Sequence, residues 1–113
     1  MEYIKVELSD GVAILTLNDP SKRNAINLSM NDEICQVLDE LENSTEVGAL
    51  IVTGEGKGFC SGADLDDLLA ARERDNIRDI YLGFLRIADS TLPTVAAVNG
   101  AAVGAGMNMA LAC

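Results

Sequence analysis

Apolar and polar side chains alternate along the first part of the chain, as they do in strands with one buried face. The alternation over residues 3–9 predicts such a strand. Asp10-Gly11 is a turn dipeptide, and the apolar segment Val12–Leu17 predicts the returning strand of a hairpin. The polar residues 18–25 then predict a loop.

Apolar residues at helical spacing follow this loop. Ser29, with Asp32 three residues later, has the form of a capping box and predicts the start of a helix that ends near Asn43. Residues 65–71 predict a second helix, and a third must end before Pro93 because proline disrupts a helix interior. The apolar residues at helical spacing in the first and third helices are Met30, Ile34, Leu38, Leu41, Ile77, Ile80, Phe84 and Ile87.

Two apolar segments each lead through a glycine-rich turn into a helix. Residues 47–53 are β-branched and apolar, which predicts a strand covered on both faces, and residues 94–98 predict a second buried strand. The turns are residues 54–64 and 99–106, and a helical pattern begins at about Ala105. Because helix and strand alternate, the expected fold class is layered α/β.

A turn from strand to helix points unpaired backbone N–H groups at one spot, where negative charge is stabilised. The second turn has neither common phosphate-binding signature. Met109 stands where a dinucleotide fingerprint has its third glycine, and Met107-Asn108 stand where a P-loop has Lys and Ser/Thr. Small residues also let a helix pack closely on a sheet. This turn by itself therefore does not decide between two interpretations, close packing and the stabilisation of negative charge.

Composition and charge limit the classes of binding partner and site that the chain can have. The 113 residues suffice for one small domain, and the formal net charge of -10 argues against nucleic acid and anionic membranes. No apolar run reaches the ~20 residues of a membrane span. The three cysteines form no C-x-x-C pair and no signal peptide precedes Tyr3, so we expect reduced thiols and a cytoplasmic location. Histidine is absent, which excludes His-based triads and His metal sites within this chain.

Residues 107–113 are apolar and helix-forming, and no Gly, Asn or basic residue caps them. We therefore expect the chain to be the N-terminal part of a longer protein. Without the remainder, the apolar faces of the first and third predicted helices would be exposed and would drive association.

Considered together, the two glycine-rich turns predict a site. If both preceding strands lie in one sheet, Ala63 and Ala105 can each aim a backbone N–H into a shared crevice. Two preorganised N–H donors that face a carbonyl oxygen stabilise an enolate or a tetrahedral oxyanion. Small residues suit both positions because a substrate must come within hydrogen-bond distance of the main chain.

Residues 21–26, 58–65 and 97–106 resemble the N-terminal motifs of the enoyl-CoA hydratase/isomerase (crotonase) superfamily. The resemblance implies a crotonase-like spiral of ββα units, of which residues 1–113 are the N-terminal portion of a single domain without its C-terminal helical region. It also implies an acyl-CoA thioester as substrate, no cofactor beyond the coenzyme A that the substrate carries, and homotrimers or dimers of trimers.

The same resemblance implies roles for particular residues. Ala63 and Ala105 match the residues whose N–H groups form the family's oxyanion hole. The residues that match CoA-binding positions are Lys22, Arg23, Asn24, Ala25, Asp64, Leu65, Asp66 and Asp67. For Lys22 and Arg23 the alternative is that their charges are simply solvated in the loop.

Asn108 departs from the family pattern. The hydratases have a glutamate at this position, one of two carboxylates that activate water and deliver its proton to the α-carbon. An amide can orient water but cannot shuttle a proton near neutral pH, so two-glutamate hydration is in doubt. Asn108 could instead satisfy the helix N-terminus. Two functions stay open: an acyl-CoA enzyme, and a catalytically silent family member that binds acyl-CoA or serves a structural role.

Two further chemistries are set aside. Cys60 lies near a helix start, but no histidine is present to activate it, so we expect a small buried thiol rather than a nucleophile. Asp64, Asp66 and Asp67 stand in the first turn of a predicted helix, where the helix dipole alone favours acids, so we expect no metal site.

Overall fold

The computed structural model describes residues 1–113, with a single four-stranded sheet in the order β1-β2-β3-β4. β1 pairs antiparallel with β2, and the pairs β2–β3 and β3–β4 are parallel. The predicted hairpin is confirmed, because Asp10 (φ 50°) and Gly11 (φ 83°) both have the positive φ that a tight hairpin turn requires. The strands are β1 (Ile4–Ser9), β2 (Val12–Leu17), β3 (Ala49–Gly54) and β4 (Thr94–Ala96).

Four α-helices and two short 3-10 turns connect or follow these strands. The helices are α1 (Leu28–Glu42), α2 (Leu65–Glu73), α3 (Leu82–Ala88) and α4 (Ala105–Ala112), and the 3-10 turns are Pro20–Lys22 and Ile77–Tyr81. None of the helices has the length and apolar character that crossing a bilayer requires.

The predicted capping box at Ser29 is wrong, because Asn27 caps α1. Asn27 has an extended backbone (φ -108°, ψ 171°), and its Oδ1 accepts a hydrogen bond from the Met30 N–H at 2.7 Å. An N-cap needs this non-helical backbone, whereas Ser29 already lies within the first turn. The predicted helix end is confirmed, since Asn43 is the C-cap.

The core lies between one face of the sheet and α1. The predicted α1 residues Met30, Ile34 and Leu38 are fully buried, and Leu41 is half-buried against the same cluster. Each fully buried side chain of this kind stabilises the fold by about 1.5–3 kcal/mol. The sheet residues that complete the core are Ala13, Leu15, Leu17, Leu50 and Val52.

β3, which was predicted to be covered on both faces, is covered on one, and β4, which was predicted to be buried, is partly exposed. In β3, Leu50 and Val52 are buried while Ile51 on the opposite face is half-exposed. β4 is a three-residue edge strand, and Val95 within it is 58% exposed. A continuous apolar run favours a doubly covered strand, but here the buried side chains of the sheet all lie on the face that α1 covers.

The third predicted helix is split into a 3-10 turn and α3. Asn31, almost fully buried on α1, donates from Nδ2 to the carbonyl oxygens of Asp79 (3.1 Å) and Ile80 (2.8 Å). Its Oδ1 accepts the Gly83 N–H at 3.1 Å. A continuous α-helix would pair the Gly83 N–H with the Asp79 carbonyl. The Asn31 amide takes both partners, which breaks the helix at this point.

Candidate functional site

Three segments outside the sheet run side by side. Ile26 forms a parallel bridge with Ala63, and Cys60 forms a second parallel bridge with Ala102. The segment that carries Cys60 and Ala63 is therefore central, with the loop before α1 on one side and the turn before α4 on the other. These three segments carry residues 21–26, 58–65 and 97–106, the stretches that resemble the crotonase motifs.

Glycine is required where these segments meet. A Cβ on Gly100 would overlap the carbonyl oxygen of Lys57, and a Cβ on Gly106 would overlap that of Cys60. Both clashes are with backbone, which cannot move aside as a flexible side chain does. The two glycine-rich turns can approach this closely only because side chains are absent at these points.

Ala63 and Ala105 each follow a glycine with positive φ, 111° at Gly62 and 55° at Gly104. The Gly62 carbonyl accepts the Ile26 N–H at 2.7 Å. Because the C=O and N–H of a trans peptide point in opposite directions, the Ala63 N–H points away from Ile26. Neither the Ala63 nor the Ala105 N–H donates a hydrogen bond within the chain.

The two free donors lie on adjacent turns. A Cβ placed on Gly62 would be 4.0 Å from the Ala105 nitrogen and 3.1 Å from the carbonyl oxygen of Val103. Ala105 is the first residue of α4, so its N–H projects from the positive end of that helix. Ala105 is 8% exposed and Ala63 is half-buried. Their joint action on one oxygen stays a prediction.

The loop predicted to hold coenzyme A is fixed largely through Asn24, which is fully buried. Its Oδ1 accepts the Asp19 N–H at 2.8 Å, and its Nδ2 lies within hydrogen-bond distance of three backbone carbonyls in the turn after β3. The Asn24 side chain and backbone N–H are therefore committed to the fold, and the residue has no exposed surface. Arg23 beside it is exposed, with φ 52°.

Lys22 is paired with an acid. Its Nζ lies 3.6 Å from Oδ2 of Asp64, and the Lys22 side chain is 62% exposed while that of Asp64 is 16% exposed. Asp64 caps α2 by accepting the Asp67 N–H at 3.1 Å, and Asp67 accepts the Leu28 N–H at the start of α1 at 3.0 Å. The interpretation of Asp64 and Asp67 as helix-terminal acids is confirmed.

An open depression of about 440 Å³ lies at this point. It contains four of the predicted CoA-binding residues, whereas Arg23, Asn24, Ala25 and Leu65 lie outside it. Three carboxylates face a single Lys22 there, so a phosphate would have to displace Asp64 from the ion pair before it met a free cation. The residues that line the depression are Tyr3, Lys22, Asn27, Leu28, Ser29, Asp64, Asp66 and Asp67.

Asn108 is exposed on the first turn of α4. Its N–H donates to the Gly104 carbonyl at 3.2 Å, and its side chain makes no hydrogen bond within the chain. The idea that this side chain caps the helix is wrong, because Gly104 is the N-cap and no side chain bonds to the helix start. The amide is thus free to contact a ligand or water.

Cys60 is a buried thiol, as expected. Burial raises its pKa, and a hydrogen bond from the Gly62 backbone lowers it only in part. A thiol with a raised pKa is a poor nucleophile near neutral pH.

Sequence reasoning missed Asn99, whose side chain bonds to the turn after β3. Asn-Gly after a strand indicates only a turn, so no local signal marked this contact.

Comparison with known proteins assigns the class. The fold is that of the crotonase superfamily: an enoyl-CoA hydratase/isomerase from Xanthobacter autotrophicus Py2 superposes with a TM-score of 0.89 at 36% sequence identity, over 99% of this chain and 44% of that one. The sequence profile of the enoyl-CoA hydratase/isomerase family matches residues 7–113. The chain belongs to this family.

Two relatives show the range within it. A protein of Mycobacterium tuberculosis named a probable enoyl-CoA hydratase is 45% identical over 104 residues, which cover 89% of this chain and 41% of the relative. A 4-chlorobenzoyl coenzyme A dehalogenase of Arthrobacter is 36% identical over 118 residues, which cover 98% of this chain and 43% of the relative. The chain thus spans less than half the length of these relatives.

Proposed function

We propose that the whole protein acts on acyl-CoA thioesters, with the N–H groups of Ala63 and Ala105 donating to the thioester oxygen as it becomes an enolate. The observation that carries this proposal is the pair of unbonded N–H groups on adjacent turns, each aimed by a positive-φ glycine. The relatives support the substrate class. Their names give different reactions, hydration and dehalogenation, and share a coenzyme A thioester.

The chemistry follows from hydrogen-bond strength. Charge on the thioester oxygen grows as the thioester becomes an enolate, and two fixed donors bind that charge more tightly than they bind the neutral carbonyl. Loss of one such donor costs about 2.7–4 kcal/mol of transition-state stabilisation. The proposal needs no cofactor beyond the coenzyme A of the substrate. It includes a cytoplasmic location. It also includes assembly as homotrimers or dimers of trimers, and analytical ultracentrifugation of the whole protein would test this assembly.

The steric variant Ala105→Val tests the donor pair. The larger side chain stands beside the N–H and should hold the substrate oxygen away from it, so we expect kcat to fall by about 10²–10³-fold. The matched control is Ala88→Val, at an exposed alanine at the end of α3. Thermal denaturation of both variants separates loss of fold from loss of turnover. If Ala105→Val is folded and keeps wild-type kcat with a CoA thioester, the assignment is wrong.

Asn108 favours a second candidate, a family member that binds acyl-CoA without turning it over. Its side chain offers hydrogen bonds but no titratable proton. Calorimetric binding of a CoA thioester together with a search for turnover separates the two functions. Saturable binding without product favours the silent member, whereas product formation favours the enzyme.

A further inference from the structure

The turn between β3 and Ala63 is held by two asparagine side chains from other parts of the chain. The first is Asn24, whose Nδ2 lies 3.0 Å from the Glu55 oxygen, 3.1 Å from the Gly58 oxygen and 3.2 Å from the Phe59 oxygen. Asn24 is fully buried and adopts φ 58°, so its replacement would disturb the fold itself.

The second is Asn99, which is exposed and yet fully bonded. Its Nδ2 donates to the carbonyl oxygens of Gly56 (3.1 Å) and Gly58 (3.2 Å), and its Oδ1 accepts the Gly54 N–H at 3.1 Å. The Gly58 carbonyl therefore accepts from both asparagines. Because solvent can reach Asn99, water can replace its hydrogen bonds, and the fold does not depend on it as it depends on Asn24.

Asn99 links the two segments that carry the free donors. It lies on the segment that leads to Ala105, and the turn it grips leads to Ala63. Backbone hydrogen bonds join the two segments on both sides of Asn99: the Ala97 N–H donates to the Val52 carbonyl at 2.8 Å, and the Phe59 N–H donates to the Ala101 carbonyl at 3.0 Å. Two side chains tie the starts of the two turns together: the Asn99 amide and the Thr53 hydroxyl, which donates to the Ala97 carbonyl at 2.8 Å.

We propose that Asn99 is a positioning residue that fixes the spacing of the Ala63 and Ala105 N–H groups. This inference rests on the proposed function. A misplacement of about 1 Å can cost on the order of 10²-fold in rate. Asn99→Ala in the whole protein is therefore expected to lower kcat about 10- to 100-fold with KM for the CoA thioester little changed. The Asn99 side chain makes no hydrogen bond to the residues predicted to hold coenzyme A, so we expect ground-state binding to change little.

The isosteric variant Asn99→Asp separates positioning from space filling. Aspartate keeps the acceptor for the Gly54 N–H but places oxygen, not N–H, against the carbonyls of Gly56 and Gly58. We expect it to reduce kcat at least as much as alanine does. The matched control is Asn43→Ala, since Asn43 is also exposed and donates to a backbone carbonyl, that of Asp39 at 2.9 Å, far from the turns.

The measurements are kcat, KM, the thermal midpoint, and the near-ultraviolet absorbance of bound acetoacetyl-CoA, a β-keto thioester whose enolate form a paired N–H site stabilises. We expect wild type and Asn43→Ala to increase the enolate absorbance, and both Asn99 variants to lose most of the increase. If wild type gives none, the proposed function fails and this inference with it. If wild type gives it and folded Asn99→Ala retains it, only the role of Asn99 is overturned. If Asn99→Asp keeps the wild-type kcat, the side chain of Asn99 only fills space and the positioning role is wrong.

Discussion

Asn108 is the residue whose chemistry bears most directly on the proposed function. It occupies the first turn of α4, three residues after Ala105, and its exposed side chain has no partner in the chain. A carboxylate there would break no existing hydrogen bond, and the N-terminal end of a helix favours negative charge. The position is therefore structurally ready for the glutamate that the hydratases of the family carry.

We predict that the whole protein is a poor hydratase of crotonyl-CoA-type substrates and that Asn108→Glu raises the hydration rate. A positioned acid/base group contributes roughly 10²–10⁴-fold, which the amide cannot supply. The gain requires a second carboxylate elsewhere in the protein. The measurement is loss of enoyl-thioester absorbance, with Asn108→Gln as control because it adds the same length without the proton. Wild-type turnover of about 10 per second or more, which is typical of enzymes, would contradict the prediction.

Several asparagines have roles that no sequence pattern indicates. Asn24, Asn31 and Asn99 each bond to backbone 31 to 52 positions away. Asparagine next to a loop or turn predicts only local backbone bonding, because its partner is not visible until the chain has folded. Ala63 and Ala105 could be selected in advance, since the glycines before them are visible in the sequence.

Elements defined by local periodicity were predicted well. β1, β2 and α1 follow from alternation, a turn dipeptide and helical spacing, all of which act within a few residues. The buried face predicted for β1 is wrong beyond Ile4, because Val6 and Leu8 are exposed. The predictions failed where long-range contacts decide. β4 is an exposed edge because of its place in the sheet order, and α3 is shortened by an amide on α1. The predicted meeting of the two turns is confirmed. Because β3 and β4 are parallel neighbours, the segments that follow them leave the sheet on the same side, at the C-terminal ends of the strands.

An ion pair ties the end of α1 to α3. Arg86 donates to both oxygens of Glu42 at 2.8 Å and to Asp39 at 3.0 Å, and Glu42 also accepts the Thr91 N–H at 3.2 Å. The side chains of Glu42 and Arg86 are only 17% and 21% exposed. The hydrogen bonds from Arg86 lower the pKa of Glu42 to about 2. This network joins the C-terminal ends of the two helices.

The stability that this pair contributes should depend on pH. Because the folded pKa of Glu42 lies below its ordinary value of 4.5, the contribution is complete above about pH 4.5 and is lost as pH falls towards 2. Allowing for partial solvent screening, we expect Glu42→Gln to cost about 1–2 kcal/mol at pH 7. Thermal midpoints of the two proteins should differ at pH 7 and converge near pH 2.

The control for this pH dependence is Glu46→Gln, at an exposed glutamate whose side chain has no partner. Its midpoint should follow that of wild type at every pH. A constant difference between wild type and Glu42→Gln from pH 7 to pH 2 would show that the effect of the substitution comes from packing, not from the charge on Glu42.

The apolar surface of the molecule lies elsewhere than the sequence predicted. The faces of α1 and α3 that were expected to be exposed pack against each other and the sheet, with Ile34 and Ile87 fully buried. Exposed apolar side chains instead concentrate on β4, the turn after it and α4. Leu111 is 74% exposed and Met107 lies one turn before it on α4. The other large apolar side chains exposed in this region, here called the β4–α4 patch, are Val95, Val98 and Val103.

We predict that residues 1–113, expressed by themselves, associate through the β4–α4 patch and bind no CoA thioester. Contiguous apolar surface drives association, while the net charge of -10 opposes it by repulsion. Raising the salt concentration distinguishes the apolar attraction from the charge repulsion. Repulsion is screened within about 10 Å at 0.1 M ionic strength and within about 3 Å at 1 M, whereas apolar contact is not weakened. Size-exclusion chromatography should therefore show larger species as salt concentration rises.

Substitution decides whether the patch is responsible. The pair Val95→Thr and Leu111→Lys removes apolar surface from both ends of the patch, so we expect the doubly substituted chain to stay monomeric at salt concentrations where the unmodified chain associates. Leu8→Lys is the matched control, because Leu8 is a half-exposed leucine on β1 at the opposite edge of the sheet and adds the same charge. If Leu8→Lys abolishes association to the same extent, the association is controlled by charge or occurs through β1, and the patch is not responsible. A monomer with a cooperative thermal transition at every salt concentration would show that the patch is tolerated in water.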